Sequence, residues 1–263
     1  MAEPHILTDL DDRGVARVTF NRVDVHNAIN DEVIAELTRI LEDFDADPAA
    51  RFVVLAANGK SFCAGGDLKW MLKTANYGFD ENLEDARGLG ALLRTLNGMA
   101  KPTVGLVQGA AYGGGVGIVA CCDIAIAGEA AKFCLSEVKL GLIPATISPY
   151  VVRKIGEAAS RRYFLTAEVF GAAEAARMGL VAKVVPNAEL EAAGEAMIAQ
   201  LSLGGPMAQA ASKELIATVA HGPVDEALVE YTARRIAEMR ATDEGKEGAG
   251  AFIDKRKPNW VKE

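Results

Sequence analysis

Two glycine-rich runs are the places where this chain's residue types could do chemistry. The first, Ser61-Phe62-Cys63-Ala64-Gly65-Gly66-Asp67-Leu68-Lys69, follows a short apolar run and its loop. The second, Gly109-Ala110-Ala111-Tyr112-Gly113-Gly114-Gly115, follows another apolar run and opens a helical stretch. Each offers backbone N–H groups free of side-chain cover near a helix N-terminus, where the helix dipole favours negative charge. Two such donors converging on one oxygen make an oxyanion hole, and losing one donor typically costs about 2.7–4 kcal/mol of transition-state stabilisation. Tight turns explain either run alone. Both together, each after a buried strand, point to catalysis.

Other chemistries fit less well. Gly59-Lys60-Ser61 ends like a phosphate loop, but the first glycine of that motif would fall on Val54. Gly115 to Ala120 matches a dinucleotide fingerprint with Glu137 at the ribose position, yet several residues separate it from the strand ending near Val107. No G-x-S-x-G elbow is present, and His5, His26 and His221 are scattered, which argues against a serine hydrolase. Cys63, Cys121, Cys122 and Cys134 lack zinc spacing and read as buried thiols in a reducing compartment, so no metal site is expected.

The elements that must hold these runs follow from hydrophobic periodicity. Val15–Phe20, Phe52–Ala56 and Thr103–Val107 read as strands. A helix is expected after Asn30, an N-cap followed by Asp31 and Glu32, with Ile34, Leu37, Leu41 and Phe44 on one face. Leu89, Leu92, Leu93 and Leu96 mark another helix. Strand–helix alternation up to about Gly141 argues an α/β class. Beyond Ile143 helical stretches dominate, at 172–178, 190–201, 207–219 and 224–239. The expected division is an α/β core over 1–200 and a helical C-terminal region over 201–263.

The chain has 263 residues, half of them hydrophobic, and a net charge of −8. That charge argues against nucleic-acid binding, which needs a basic face. No run is long and apolar enough to span a membrane, and Met1-Ala2-Glu3-Pro4-His5 does not read as a signal peptide, so a cytoplasmic protein is expected.

A set of motifs resembles the crotonase, or enoyl-CoA hydratase/isomerase, superfamily along nearly the whole chain. They are Asn21-Arg22 through His26-Asn27-Ala28, Phe62–Asp67, Gln108–Gly115, Cys122-Asp123, Phe133–Gly141 with Pro144, and Phe252–Trp260. The resemblance implies a spiral of ββα units with a helical C-terminal trimerisation region, as a homotrimer or dimer of trimers. It implies an acyl-CoA substrate and no separate cofactor, coenzyme A being part of the substrate. It places the two oxyanion donors at Gly66 and Gly114, and lines the CoA path with Val25, His26, Ala28, Ala64, Gly65, Asp67 and Leu68. Lys255 would reach the CoA phosphates, from the same chain or a neighbouring subunit.

The resemblance also puts a catalytic glutamate at Glu137. An acid flanked by Leu135 and Val138 is open to partial desolvation, which raises a carboxyl pKa toward a useful value. The alternative is a surface glutamate pairing with Lys139. Many hydratases of the superfamily carry a second glutamate two residues beyond the triple glycine, where this chain has Gly117. A single carboxylate suits a 1,3-proton shift. Hydration would need Glu137 alone or a carboxylate from elsewhere, Glu81, Glu84 and Asp85 being available on a helical stretch. On the sequence, restoring a glutamate at 117 is expected to raise hydration of straight-chain enoyl-CoA. The stretch Cys134–Tyr150 further resembles the bacterial methylglutaconyl-CoA and isohexenylglutaconyl-CoA hydratase branch. The leading expectation is therefore a hydratase for a branched or glutaconyl-type thioester, then an isomerase, then a non-catalytic acyl-CoA binder. Arg94, Arg153, Lys154, Arg161 and Arg162 are candidate partners for a substrate carboxylate.

Overall fold

The computed structural model describes residues 4–220 and 222–261. Met1 to Glu3 and His221 lie outside the described residues. Two compact units emerge, one formed by residues up to 99 with 103–195, the other by 100–102 with residues from 196 onward.

The first unit is built on a six-stranded sheet in the order β1 (Ile6–Leu10), β2 (Val15–Phe20), β3 (Phe52–Ala57), β4 (Thr103–Val107), β6 (Ile124–Gly128) and β9 (Lys183–Val185). Only β1–β2 is antiparallel. Strands covered on both faces carry continuous apolar runs, and β4 is accordingly buried at every position. A smaller sheet joins β5 (Ala110–Tyr112), β7 (Lys132–Cys134) and β8 (Phe170–Gly171). Both glycine runs leave strand ends. One passes from β3 into α2 (Leu68–Thr74), and the other from β5 into α4 (Gly114–Cys121).

Helix α1 (Asp31–Ala46) is capped by Asn30, whose side chain accepts from Val33 N at 3.0 Å, and it buries Ile34, Leu37 and Leu41. Helix α3 (Phe79–Gly98) buries Leu92, Leu93 and Leu96. Helix α5 (Ser148–Thr166) breaks at Gly156, and α6 (Ala172–Arg177) follows β8. All four cysteines are buried, free thiols. Burial pushes the Cys63 thiol up to about 11 and raises Cys121 and Cys134 as well, which makes them poor nucleophiles.

The boundary between the units falls within α7 (Leu190–Leu201). The second unit contains α8 (Pro206–Val219), α9 (Glu226–Ala241) and α10 (Asp243–Ile253). Glu244 of α10 accepts from the first N–H groups of α8, Met207 at 3.0 Å and Ala208 at 2.8 Å, satisfying donors that a helix start leaves open. Among the described residues, no helix is long and apolar enough to cross a membrane.

Candidate active site

The loop 22–28 is the first wall of the site. His26 and Asn27 both sit at positive φ, 54° and 57°, a conformation Asn tolerates better than most residues. Buried Asn27 repays that strain with three hydrogen bonds. It accepts from Arg22 N and donates to Asn58 O and Ser61 O, each at 2.8 Å. Arg22 donates to Ala28 O and forms a largely buried ion pair with Asp67 at 2.8 Å. Asp67 Oδ1 in turn caps α2 through Lys69 N at 2.8 Å. Burial alone would raise the Asp67 pKa, but the Arg22 guanidinium and the α2 amides overcome it and hold the carboxyl below its ordinary value. The residues expected on the CoA path are therefore joined. Ala64 N donates to His26 O, Ile29 N to Gly65 O, and Asp67 N to Ile29 O. Val25, His26 and Leu68 keep exposed side chains, while Ala28 is buried.

The two glycine runs lie side by side. Cys63 N donates to Ala110 O at 3.0 Å and Tyr112 N to Cys63 O at 2.9 Å. Gly66 bridges to the backbone of Ile29, and the Ile29 side chain abuts Gly114. No backbone acceptor among the described residues takes the N–H of Gly66 or of Gly114, and both residues are partly accessible. Gly114 is the first residue of α4, so its N–H is one of the helix-start donors without an internal partner.

Glu137 opens a 3₁₀ turn, Glu137–Leu140, directly after β7 and is half-buried. Its Oε1 lies 3.2 Å from where a Cβ on Gly113 would stand, so a side chain at 113 would press on the carboxylate. Gly113 also has φ 48° and ψ −116°, which a side chain would strain. Oε2 is buried with no hydrogen-bond partner among the described residues. Desolvation raises the Glu137 pKa, offset only in part by its own backbone N–H. Lys139 does not pair with it, and its ammonium instead donates to Ala167 O at 2.8 Å, at the C-terminus of α5. The surface-pair alternative for Glu137 is thereby excluded.

At Gly117 the structure corrects an expectation. A Cβ there would stand 2.3 Å from Ile147 Cγ2 and 2.9 Å from Ile147 Cβ, with Leu93 Cδ2 at 3.4 Å. The volume a second glutamate would need is occupied by apolar side chains. A glutamate restored at 117 therefore has no room, and a gain in hydration is not expected. Nothing in the sequence around Gly117 marks Ile147, thirty residues on, as its neighbour.

The other acidic candidates have partners of their own. Glu81 accepts from Gly78 N at 2.9 Å at the start of α3, Glu84 pairs with Arg87, and Asp85 accepts from the Trp70 indole at 2.8 Å. All three line a cavity of about 620 Å³ between α1 and α3. Of the basic candidates, Arg161 pairs with Glu157, Arg162 with Glu168, and Lys154 donates to Cys122 O at 3.1 Å. Arg94 and Arg153 have no ion pair among the described residues, and both charges act on the Tyr150 hydroxyl. Lys255 belongs to the second unit, just beyond α10, with φ 54° and an exposed side chain.

Comparison with known proteins defines the class. The family model for enoyl-CoA hydratase/isomerase matches residues 11–263, and the chain belongs to that family. The chain is 47% identical to a solved structure from Legionella pneumophila, described as an enoyl-CoA hydratase/isomerase (crotonase). The match covers 97% of this chain and 98% of that one, with a TM-score of 0.93. A structure of an enoyl-CoA hydratase from Shewanella pealeana matches at 44% identity and TM-score 0.95, covering 98% and 96%. A Rhizobium meliloti protein named as an enoyl-CoA hydratase is 38% identical over 252 residues, 94% of each chain. The α/β core with a helical C-terminal region is thus the crotonase fold.

Proposed function

We propose that this protein is an enoyl-CoA hydratase that uses Glu137 as its proton-transferring group and the N–H groups of Gly66 and Gly114 as its oxyanion hole. One observation carries the reading most. Glu137 places a half-buried carboxylate, one oxygen without a partner, against Gly113, next to the free N–H of Gly114. Adding water to a 2-enoyl thioester creates an enolate-like state with negative charge on the thioester oxygen. Fixed donors stabilise that charge more than they stabilise the ground state, and the difference lowers the barrier. Ionised Glu137 takes a proton from water as its oxygen attacks the β-carbon, then passes the proton to the α-carbon, giving a 3-hydroxyacyl thioester.

The acyl group we favour is branched or glutaconyl-type, on the resemblance of Cys134–Tyr150. Arg94 and Arg153, free of ion pairs near Tyr150, are the candidates for a second carboxylate. The CoA path uses Val25, His26, Ala28, Ala64, Gly65, Asp67 and Leu68, and Lys255, of this chain or of a neighbouring subunit, is the candidate for the CoA phosphates. The assembly is a homotrimer or dimer of trimers in the cytoplasm. Exposed apolar side chains on the second unit, Val224 at 85% and Phe252 at 86%, support self-association.

A second reading, double-bond isomerisation, is favoured by the filled space at Gly117. With one carboxylate, Glu137 would remove a proton at one end of a three-carbon unit and return it at the other. Mass spectrometry after incubation with crotonyl-CoA, 3-methylglutaconyl-CoA and a 3-enoyl-CoA separates the two. Gain of one water on a 2-enoyl thioester is the expected result. A 3-enoyl thioester that shifts in retention without change of mass would make the protein an isomerase.

A further inference from the structure

Helix α2 begins two residues after Gly66, and none of its side chains is fully buried, the partly buried Trp70 being the one that packs against the core. Its tie to α1, Lys73 with Asp31 at 2.7 Å, is a half-exposed ion pair that solvent screens. Its tie to α3 is different. The indole N–H of Trp70 donates to Asp85 Oδ1 at 2.8 Å. Asp85 is half-buried and has no ion-pair partner among the described residues. The same indole stands against Gly66, its Cζ3 and Cε3 3.4 and 3.5 Å from where a Cβ would be, with Met71 Cγ beside it at 3.5 Å. The residue carrying the free Gly66 N–H is therefore in contact with a ring that is hydrogen-bonded to α3.

We propose that Asp85 and Trp70 form a strut that fixes the Gly66 N–H in its oxyanion-hole position. The inference rests on the oxyanion role given to Gly66 above. Asp85 is a positioning residue, acting through Trp70, and it is neither the missing second carboxylate nor a proton carrier. An oxyanion donor must be aimed at the charge as it develops, and a displacement of a fraction of an ångström weakens that interaction in the transition state more than it weakens substrate binding.

The test is steady-state kinetics of Asp85→Leu, Asp85→Asn, Trp70→Phe and the Asp85→Leu/Trp70→Phe double variant, with the enoyl-CoA that the native enzyme turns over best. Asp85→Leu is expected to lower kcat by about tenfold, short of the 10²–10³ lost with a whole donor, while KM stays within about twofold. Asp85→Asn keeps an oxygen that accepts from the indole and should restore most of kcat. Trp70→Phe removes the donor and leaves a smaller ring, so it should be at least as slow as Asp85→Leu. The double variant should be no worse than Trp70→Phe alone, because the Asp85 substitution then has no further bond to remove. Unchanged kcat in Asp85→Leu and Trp70→Phe would overturn the strut, as would an Asp85→Asn variant as slow as Asp85→Leu. If Asp85→Leu does not fold, Asp85→Ala, which removes the acceptor without adding apolar volume, decides between the same outcomes. Absence of turnover by the native enzyme on any enoyl-CoA would overturn the oxyanion reading itself, a distinct result.

Discussion

The Glu137→Gln protein is expected to fold, to bind acyl-CoA, and to lose turnover by about 10²–10⁴-fold, the usual contribution of general acid–base catalysis. The amide keeps the volume of the carboxyl group against Gly113 but cannot accept and return a proton. The same substitution is expected to leave the thermal midpoint at neutral pH unchanged or raise it. Burial lifts the folded-state pKa of Glu137 above its unfolded value, so the fold favours the protonated form. Its contribution to stability is complete below the unfolded pKa and is lost as pH rises through the folded one. Where Glu137 ionises, the native protein holds a desolvated charge with an unpartnered oxygen, and glutamine removes the charge while leaving a neutral polar group in its place. Activity lost together with stability gained would mark a group retained for chemistry. Near-native turnover, measured beside calorimetric melting, would remove Glu137 from the mechanism.

Gly117→Glu is expected to damage the fold. A Cβ at 2.3 Å from Ile147 Cγ2 requires the buried helix α4 or the start of α5 to move, and the carboxylate would then lie among Leu93 and Ile147. Overpacking and an unpaired buried charge together should cost about 3 kcal/mol or more. For a chain of this size that corresponds to a fall of roughly 6–12 °C in the thermal midpoint. The combination Gly117→Glu with Ile147→Ala should recover part of the loss, since it returns the occupied volume. A Gly117→Glu protein that melts like the native one and hydrates crotonyl-CoA faster would show that Ile147 yields its space freely.

Much of the scaffold was legible because local rules and tertiary packing agree. Asn30 caps α1 as its residue type and the following acids imply, and Leu37 and Leu41 are buried as their spacing implies. The apolar runs of β3 and β4 became central strands. Strand β1 is not legible because Ile6–Leu10 is an edge strand with one buried residue, and β8 because two residues carry no periodicity. Helix α5 is hidden in a stretch interrupted by Pro149 and Gly156. In the site, the glycine runs could be read from the chain, since backbone donors need no partner to be recognised. The contacts that give the site its character could not. Ile147 filling the space at Gly117, Lys139 turning to Ala167, and Asp85 holding Trp70 all join residues far apart in sequence, and only the packing of α3, α4 and α5 brings them together.

The pH dependence of kcat/KM tests the single-carboxylate site most directly, because it reports the ionisations of the free enzyme. The chemistry starts from ionised Glu137, so the rate should fall as pH is lowered through one ionisation lying above the ordinary glutamate range, in keeping with its burial. No second carboxylate limb is expected. A bell-shaped profile set by two carboxyl groups, or a single ionisation at or below the ordinary glutamate value, would contradict a site in which buried Glu137 carries the proton alone.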